Sequence, residues 1–138
     1  MNNSKENLPA ANTQKGSING RGYRIVYFNG RKVLEHIAVA ESILGKKLPK
    51  GAEVHHVNRN RLDNRPENLV ICPDIKYHKL LHVRMDALEA CGNANYRKCP
   101  FCKGYDDTSN MVHNTAARYF YHRECRREYK RSRRCAKQ

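Results

Sequence analysis

The stretch from Val54 to His82 contains four histidines in two pairs. His55 and His56 are adjacent, while His78 and His82 are four residues apart in a segment without helix breakers. On a helix, residues four apart lie on one face, one turn from each other, so the imidazoles of His78 and His82 can both reach one divalent metal ion. The stretch therefore predicts a metal site that is partly helical.

The first histidine pair lies in a segment that favours strands. Residues 54–57 form a short β-favouring run and residues 68–71 form another, while the polar residues between them have the composition of a loop. Neighbouring side chains of a strand point to opposite faces, so only one of His55 and His56 can join the metal site. The predicted order is strand, loop, strand, helix.

A closed structural site is an alternative interpretation of the same residues. Three histidines would then share a zinc ion with Cys72, which leaves no open position for water. Otherwise Cys72 is a small buried strand residue. The histidines concerned are His55, His78 and His82.

These features resemble the HNH (ββα-metal, or His-Me finger) endonuclease family. The resemblance covers roughly Tyr23 to Leu88 and rests on the doubled histidine, the segment DNRPENL and the closing HxxxH. It extends upstream through the pattern EHxxxAExxLGKxLPxG of residues 35–51, as in many phage-encoded members. It implies an α+β fold, in which a β-hairpin and a helix precede a small ββα-metal core.

The resemblance also implies a role for each matching residue. His56 corresponds to the general base, and Asn68 to the middle asparagine, which braces the loop and orients that base. A catalytic divalent ion, Mg²⁺, Mn²⁺, Ni²⁺ or Zn²⁺, would stabilise charge on the phosphate and leaving oxygens, while a neutral histidine takes the water proton. The implied products carry 5′-phosphate and 3′-hydroxyl ends. The implied ligands of the ion are His55, His78 and His82.

Two further elements are expected before this core. Residues 22–34 predict a β-hairpin, because β-rich runs flank Asn29-Gly30. Residues 35–44 predict a helix that ends at Gly45. The apolar stripe expected on this helix consists of Ile37, Ala40, Ile43 and Leu44. We interpret His36, which has no partner at metal spacing, as structural.

A second metal site is predicted near the C-terminus by the spacing C-x2-C-x19-H-x2-C. Two tight pairs of thiolate and imidazole ligands are what a closed structural zinc site requires, and a redox CxxC would not explain the second pair. The segment resembles a zinc-ribbon or treble-clef module of the kind found beside some phage HNH domains. Its four ligands are Cys99, Cys102, His122 and Cys125.

The positive charge of the chain predicts a polyanionic partner. Lys and Arg number 27 against 13 Asp and Glu, a net charge of +14, and residues 97–138 hold +8 of it. Double-stranded DNA is the leading candidate, and an anionic membrane surface is the weaker one. Candidate phosphate contacts are Arg59, Arg61 and Arg65 in the loop, and Arg126, Arg127, Lys130, Arg131, Arg133 and Arg134 in the tail. Arg65 has an alternative role, bracing the fold through Asp63 or Glu67.

The sequence thus predicts a flexible arm over residues 1–21, an HNH nuclease domain over 22–92 and a zinc-binding module with a basic tail over 93–138. The predicted function is metal-dependent DNA cleavage, by nicking or by cutting both strands, with phage homing and DNA packaging as specific roles. A non-catalytic zinc-dependent DNA-binding protein and an RNase are the alternatives. The first of these would not need His56 beside a metal-ligand histidine.

Several further properties are expected from the composition. The polar first 24 residues contain no secretion signal and no apolar run is long enough to span a membrane, so we expect a soluble intracellular protein, in the host cytoplasm if it is phage-encoded. We expect no small-molecule cofactor and no membrane partner. Either a monomer or a homodimer is compatible with the sequence.

Overall fold

The structure, a computed structural model, describes residues 16–136. Its helices and small antiparallel sheets make the predicted α+β architecture. The chain divides into two compact units, the first ending at His78 and the second beginning at Lys79. In the described part of the chain, no helix has both the length and the apolar character needed to cross a membrane.

A three-stranded antiparallel sheet opens the first unit. In the turn between its second and third strands, Asn29 and Gly30 have φ values of 48° and 75°, the left-handed geometry that an Asn-Gly hairpin turn requires. The predicted hairpin is therefore confirmed. In sheet order, the strands are β1 (Ser17–Ile18), β2 (Arg24–Phe28) and β3 (Arg31–Leu34).

Most of the predicted flexible arm, residues 1–15, lies outside the described residues. Within the rest of the predicted arm, Ser17 and Ile18 form β1, which pairs with β2. Asn19 organises the turn between these strands, because its Oδ1 accepts the backbone N–H groups of Arg21 and Tyr23, both at 3.0 Å. A side chain that replaces backbone partners in this way is a common means of closing a short turn.

Helix α1 (Glu35–Leu44) has the predicted bounds, and Gly45 ends it in the left-handed conformation with φ of 64°. The predicted apolar stripe is confirmed at Ala40, which is buried, and is wrong at Ile43 and Leu44, which are 48% and 38% exposed. Polar side chains take core positions instead, because each finds a partner elsewhere in the unit. The buried residues of the helix are Glu35, His36, Ala38, Ala40 and Glu41.

A second antiparallel pair follows, formed by β4 (Glu53–His56) and β5 (Leu69–Cys72). Its register places His56 opposite Leu69 and Glu53 opposite Cys72. Helix α2 (Ile75–Cys91) comes next and ends before Gly92, which has a φ of 74°. The predicted order of strand, loop, strand and helix is confirmed. The division between the units falls within α2, and the domain limits at residues 92–93 stay a prediction.

The second unit contains two short hairpins and a final helix. Phe101 lies against the rings of Tyr119, Tyr121 and Tyr129, with centroids 5.1 to 6.4 Å apart, and these four rings form a small aromatic cluster. The elements are β6 (Arg97–Lys98), β7 (Tyr105–Asp106), β8 (Val112–Asn114), β9 (Tyr119–Tyr121) and α3 (Arg123–Cys135).

Candidate active site and metal centres

The three histidines predicted to share a metal ion lie together in the structure. One ligand atom from each of His55, His78 and His82 lies within 4.8 Å of the other two. His55 is buried, His78 is half-buried and His82 is exposed, so the cluster reaches solvent. Three imidazoles with access to solvent fit a divalent ion that keeps a position for water or phosphate. Cys72 is fully buried and is not part of this cluster, so the closed site lacks its fourth ligand among the described residues.

Glu53 braces this cluster from the start of β4. Its Oε2 lies 2.5 Å from Nδ1 of His78. Metal-binding histidines commonly bond a carboxylate through their second ring nitrogen, which fixes the ring and directs the other nitrogen to the metal. Glu53 was not among the residues predicted from the sequence, because an acidic residue at a strand end gives no signal that separates it from a solvated one.

His56 lies on the other face of β4 from His55. The ring of His55 contacts His78 at a centroid distance of 5.1 Å, while the ring of His56 contacts His36 at 5.1 Å and Tyr23 at 6.3 Å. The strand alternation therefore separates the candidate ligand from the candidate base, as the sequence predicts. His36, interpreted as structural, is 6% exposed and packs edge to face on His56.

The pKa of His36 is lowered to about 4. Burial disfavours its charged form most strongly, and His56 and His78 add electrostatic repulsion. Near neutral pH the imidazole of His36 is therefore uncharged where it packs against His56.

A chain of polar contacts leads away from His56. Its Nε2 lies 2.8 Å from Oδ1 of Asn64, and Nδ2 of Asn64 donates to Oε2 of Glu35. The same carboxylate oxygen lies 3.3 Å from Nε of Arg24. These three partners were not predicted from the sequence, although Asn64 belongs to the DNRPENL segment and Glu35 opens the upstream pattern.

Asn68, the predicted middle asparagine, is buried and bonds the loop rather than His56. Its Oδ1 accepts the N–H of Asn58 at 2.9 Å, and its Nδ2 donates to Oδ1 of Asn58 and to the carbonyl of Asp63 at 2.9 and 2.7 Å. Its own carbonyl accepts the N–H of Val57 at 2.9 Å. The asparagine that contacts His56 directly is Asn64.

The loop arginines have different surroundings. Arg65 contacts Asp63 through two nitrogens at 2.8 and 3.0 Å, and Arg65 is the main reason that the pKa of Asp63 is lowered to about 2. The alternative bracing role of Arg65 thus matches its contacts. Arg61 donates to the carbonyl of Arg21 at 2.6 Å and lies over the ring of Tyr23. Arg59 is exposed in a left-handed conformation with φ of 61°.

The second cluster also assembles as predicted. One ligand atom from each of its residues lies within 4.8 Å of the others, and this three-sulfur, one-nitrogen set fits a tetrahedral zinc ion. Nδ1 of His122 faces the sulfur atoms of Cys102 and Cys125, at 3.4 and 3.8 Å. His113 is not part of this cluster and stacks on Phe120. The four candidate ligands are Cys99, Cys102, His122 and Cys125.

Thiols held this closely shift each other's pKa. Burial would raise the pKa of Cys99, but hydrogen bonds from the backbone of Cys102 and His122 outweigh it, and the pKa falls to about 6. The pKa of Cys125 rises to about 11, first through burial and then through its contact with Cys102. A cation among these sulfur atoms would relieve the repulsion between thiolates.

Asp106 lies on the far side of His122, with Oδ2 3.2 Å from Nε2. Hydrogen bonds from Asn110 and from the backbone of Asp107 lower the pKa of Asp106, and His122 contributes further. The carboxylate therefore bonds the ring nitrogen that does not face the sulfur atoms, a common arrangement around histidine ligands.

The basic residues of the tail lie on α3, most of whose surface is exposed. An open cavity of about 290 Å³ lies where the first turns of this helix meet Val112 and Tyr121. Arg126 lines it and also donates to the hydroxyl of Tyr121 at 2.5 Å. The four cations of the cavity recur at helical spacing and so share one face of α3. They are Arg123, Arg126, Arg127 and Lys130.

Residues 33–75 match the family model described as HNH endonuclease. The matched segment includes the doubled histidine and both asparagines, and it ends before His78 and His82. Neither curated proteins nor solved structures gave a match to the chain. Endonucleases of this family act on DNA with divalent metals, so the match indicates a nuclease in general. The likeness to the HNH endonuclease family is thus shown for residues 33–75, about a third of the chain.

Proposed function

We propose that this protein is a metal-dependent DNA endonuclease that hydrolyses phosphodiester bonds with His56 as the general base. The observation that carries the proposal is that the two adjacent histidines lie on opposite faces of β4. His55 joins two further imidazoles in a cluster that reaches solvent, while His56 is held on the other face by Asn64. A binding module has no need of this second, separately held imidazole.

The residues of the chain divide the reaction between them. A divalent ion bound by the three-histidine cluster would supply positive charge to the phosphate and leaving oxygens. His56 removes a proton from the attacking water, and Asn68 holds the loop that lies between the two strands. Glu53 keeps the ring of His78 in place for the ion.

The second unit serves as the docking part of the enzyme. A structural zinc ion in the cysteine cluster would join the β6–β7 hairpin to the start of α3, and the cation-lined cavity of α3 would accept backbone phosphates. Arginine suits this task because its planar guanidinium can contact phosphate oxygens through two hydrogen bonds. The arginines of the loop between β4 and β5 would contact the DNA strand near the scissile bond. Further tail contacts would come from Arg131, Arg133 and Arg134.

The test is cleavage of supercoiled plasmid by the full chain in EDTA and in Mg²⁺, Mn²⁺ or Ni²⁺. Wild-type protein is expected to convert the plasmid to nicked or linear DNA only with a metal. His56→Ala should lower the rate at least about 100-fold, the scale of a positioned general base. His113→Ala is the matched control, since this histidine is exposed and lies outside both clusters.

Two results would reject the proposal. One is the absence of cleavage by folded, zinc-loaded protein with any metal while DNA still binds tightly, which would favour the non-catalytic DNA-binding protein. The other is cleavage confined to a matched RNA substrate, which would favour an RNase. Nicked or linear product separates a nickase from a double-strand cutter.

Homing in a phage-encoded setting is the specific role that we propose for this nuclease. Its support is the upstream pattern of residues 35–51, which resembles that of phage-encoded family members. In that setting the enzyme would act inside the host cell, as a monomer or a homodimer. Sequence-specific cleavage of one long target would support homing, and indiscriminate cleavage would contradict it.

A further inference from the structure

We propose that Glu35 and Asn64 are positioning residues that hold His56 in the tautomer protonated at Nε2, which makes Nδ1 the atom that accepts the water proton. The inference rests on the proposed function, because it specifies how the base of that reaction is prepared. Neither residue would touch the substrate, and both act through His56.

The direction of the hydrogen bonds follows from which atoms can donate. The carboxylate of Glu35 can only accept, so it must face the amide nitrogen of Asn64. The carbonyl Oδ1 of Asn64 then faces Nε2 of His56 at 2.8 Å, and Oδ1 can only accept as well. The hydrogen of this contact must therefore sit on Nε2.

Burial makes the alternative arrangement costly. Glu35, Asn64 and His56 are 4%, 9% and 6% exposed, so water does little to replace a lost partner. Rotating the Asn64 amide by half a turn would set its oxygen against the Glu35 carboxylate and leave a buried pair of acceptors without a hydrogen. Nε of Arg24 lies 3.3 Å from Oε2 of Glu35, and this positive charge favours the ionised carboxylate, which can only accept a hydrogen bond.

The tautomer decides whether His56 can act as a base. With the hydrogen on Nε2, the lone pair of Nδ1 takes a proton from water, and the new O–P bond forms as the bond to the leaving oxygen breaks. The leaving oxygen is protonated by solvent, and the imidazolium later returns its proton to solvent. While it is charged, its Nε2–H still donates to Asn64, behind which lies the negative charge of Glu35. In the other tautomer Nδ1 already carries a hydrogen and cannot accept.

Histidine ¹⁵N NMR tests this directly on the full zinc- and Mg²⁺-loaded chain at pH 8, with the signals of His56 assigned by comparison with His56→Gln. Wild-type protein is expected to show a protonated Nε2 and an unprotonated Nδ1. Asn64→Ala should give a mixture of tautomers and lower kcat about 100-fold with little change in KM. Asn60→Ala is the matched control, since Asn60 is an exposed asparagine of the same loop. Its side-chain oxygen accepts the backbone N–H of Leu62 and does not contact His56.

A rescue variant separates positioning from general stability. In the double variant Glu35→Gln with Asn64→Asp, the new amide can donate to the new carboxylate, which still accepts from Nε2. The tautomer and most of kcat should return, while Glu35→Gln alone lets the Asn64 amide turn either way and should leave a mixture of tautomers. A single wild-type tautomer that survives in folded Asn64→Ala, or a double variant no better than the single ones, would overturn the inference. Because the NMR readout needs no turnover, it remains decisive if the protein proves not to cut DNA.

Discussion

At the level of single residues, polar side chains occupy much of the interior of the first unit. The side chains buried there include three histidines, two glutamates and two asparagines, against few large apolar ones. Burying such groups is unfavourable unless each finds a partner, and here several partner one another. They are Glu35, His36, Glu41, His55, His56, Asn64 and Asn68.

His36 makes this interior sensitive to acid. Its pKa is about 4 in the folded chain against an ordinary 6.5, so between these values the unfolded chain binds a proton that the folded chain does not. The free energy of unfolding therefore falls as the pH drops from 6.5 towards 4. Between pH 6.5 and 4.5 we expect His36 to account for a loss of about 2 kcal/mol.

Urea denaturation at the two pH values measures this loss, with His36→Phe as the comparison because its ring is similar in size and does not titrate. The variant should lose less stability than wild type by that amount. Acid effects on the cysteine cluster, which wild type and variant share, cancel in the difference. Equal losses in the two chains would show that His36 titrates normally.

At the level of elements, the bounds of the helices and turns could be predicted from the sequence better than the surroundings of their side chains. The Asn29-Gly30 turn, the helix ending at Gly45 and the HxxxH spacing are local signals, and each describes the observed element. The buried face of α1 could not be predicted, because Glu35 is stabilised by Asn64, which lies 29 residues away. Which asparagine of DNRPENL contacts His56 likewise depends on how the loop folds back.

The two candidate metal clusters illustrate the same limit. Ligand spacing identifies the residues that could bind a metal, since each pair lies within a few residues. The carboxylates that brace the histidines come from other strands, as Glu53 does for His78 and Asp106 for His122. No local pattern marks such carboxylates in advance.

Asp106 should therefore affect zinc binding without touching the ion. Its Oδ2 bonds Nε2 of His122, which favours the tautomer in which Nδ1 faces the thiolates. We expect Asp106→Ala to weaken zinc affinity about 10- to 100-fold. Competition with a chromogenic zinc chelator measures the change.

The neighbouring Asp107 provides the control for this measurement. It is an exposed carboxylate that accepts the N–H of Ser109, and its side chain does not bond His122. Asp107→Ala should leave zinc affinity within about threefold of wild type. If the two variants bind zinc equally well, Asp106 has no role in preparing the ligand.

At the level of the whole molecule, positive charge is spread unevenly along the chain. The net charge is +14, and α3 alone carries seven Lys or Arg against two Glu. Charge spread over any surface raises nonspecific attraction to DNA, whereas contacts to individual phosphates release a defined number of counterions. Variants of equal net charge that lose their cations at different places can therefore separate phosphate contacts from the effect of total charge.

Neutralising Lys130, Arg131 and Arg134 to alanine should reduce the salt dependence of DNA binding. If each contacts one phosphate, the slope of log K against log salt becomes less steep by about 2 to 3. The control, neutralising Lys46, Lys47 and Lys50, removes the same charge from exposed positions after α1 and should change the slope by less than about 1. Fluorescence anisotropy with a labelled duplex between 50 and 200 mM salt, about the range over which such contacts dominate, gives both slopes. Equal slopes would mean that α3 attracts DNA only through the net charge of the chain, and phosphate contacts would then have to lie elsewhere on the protein.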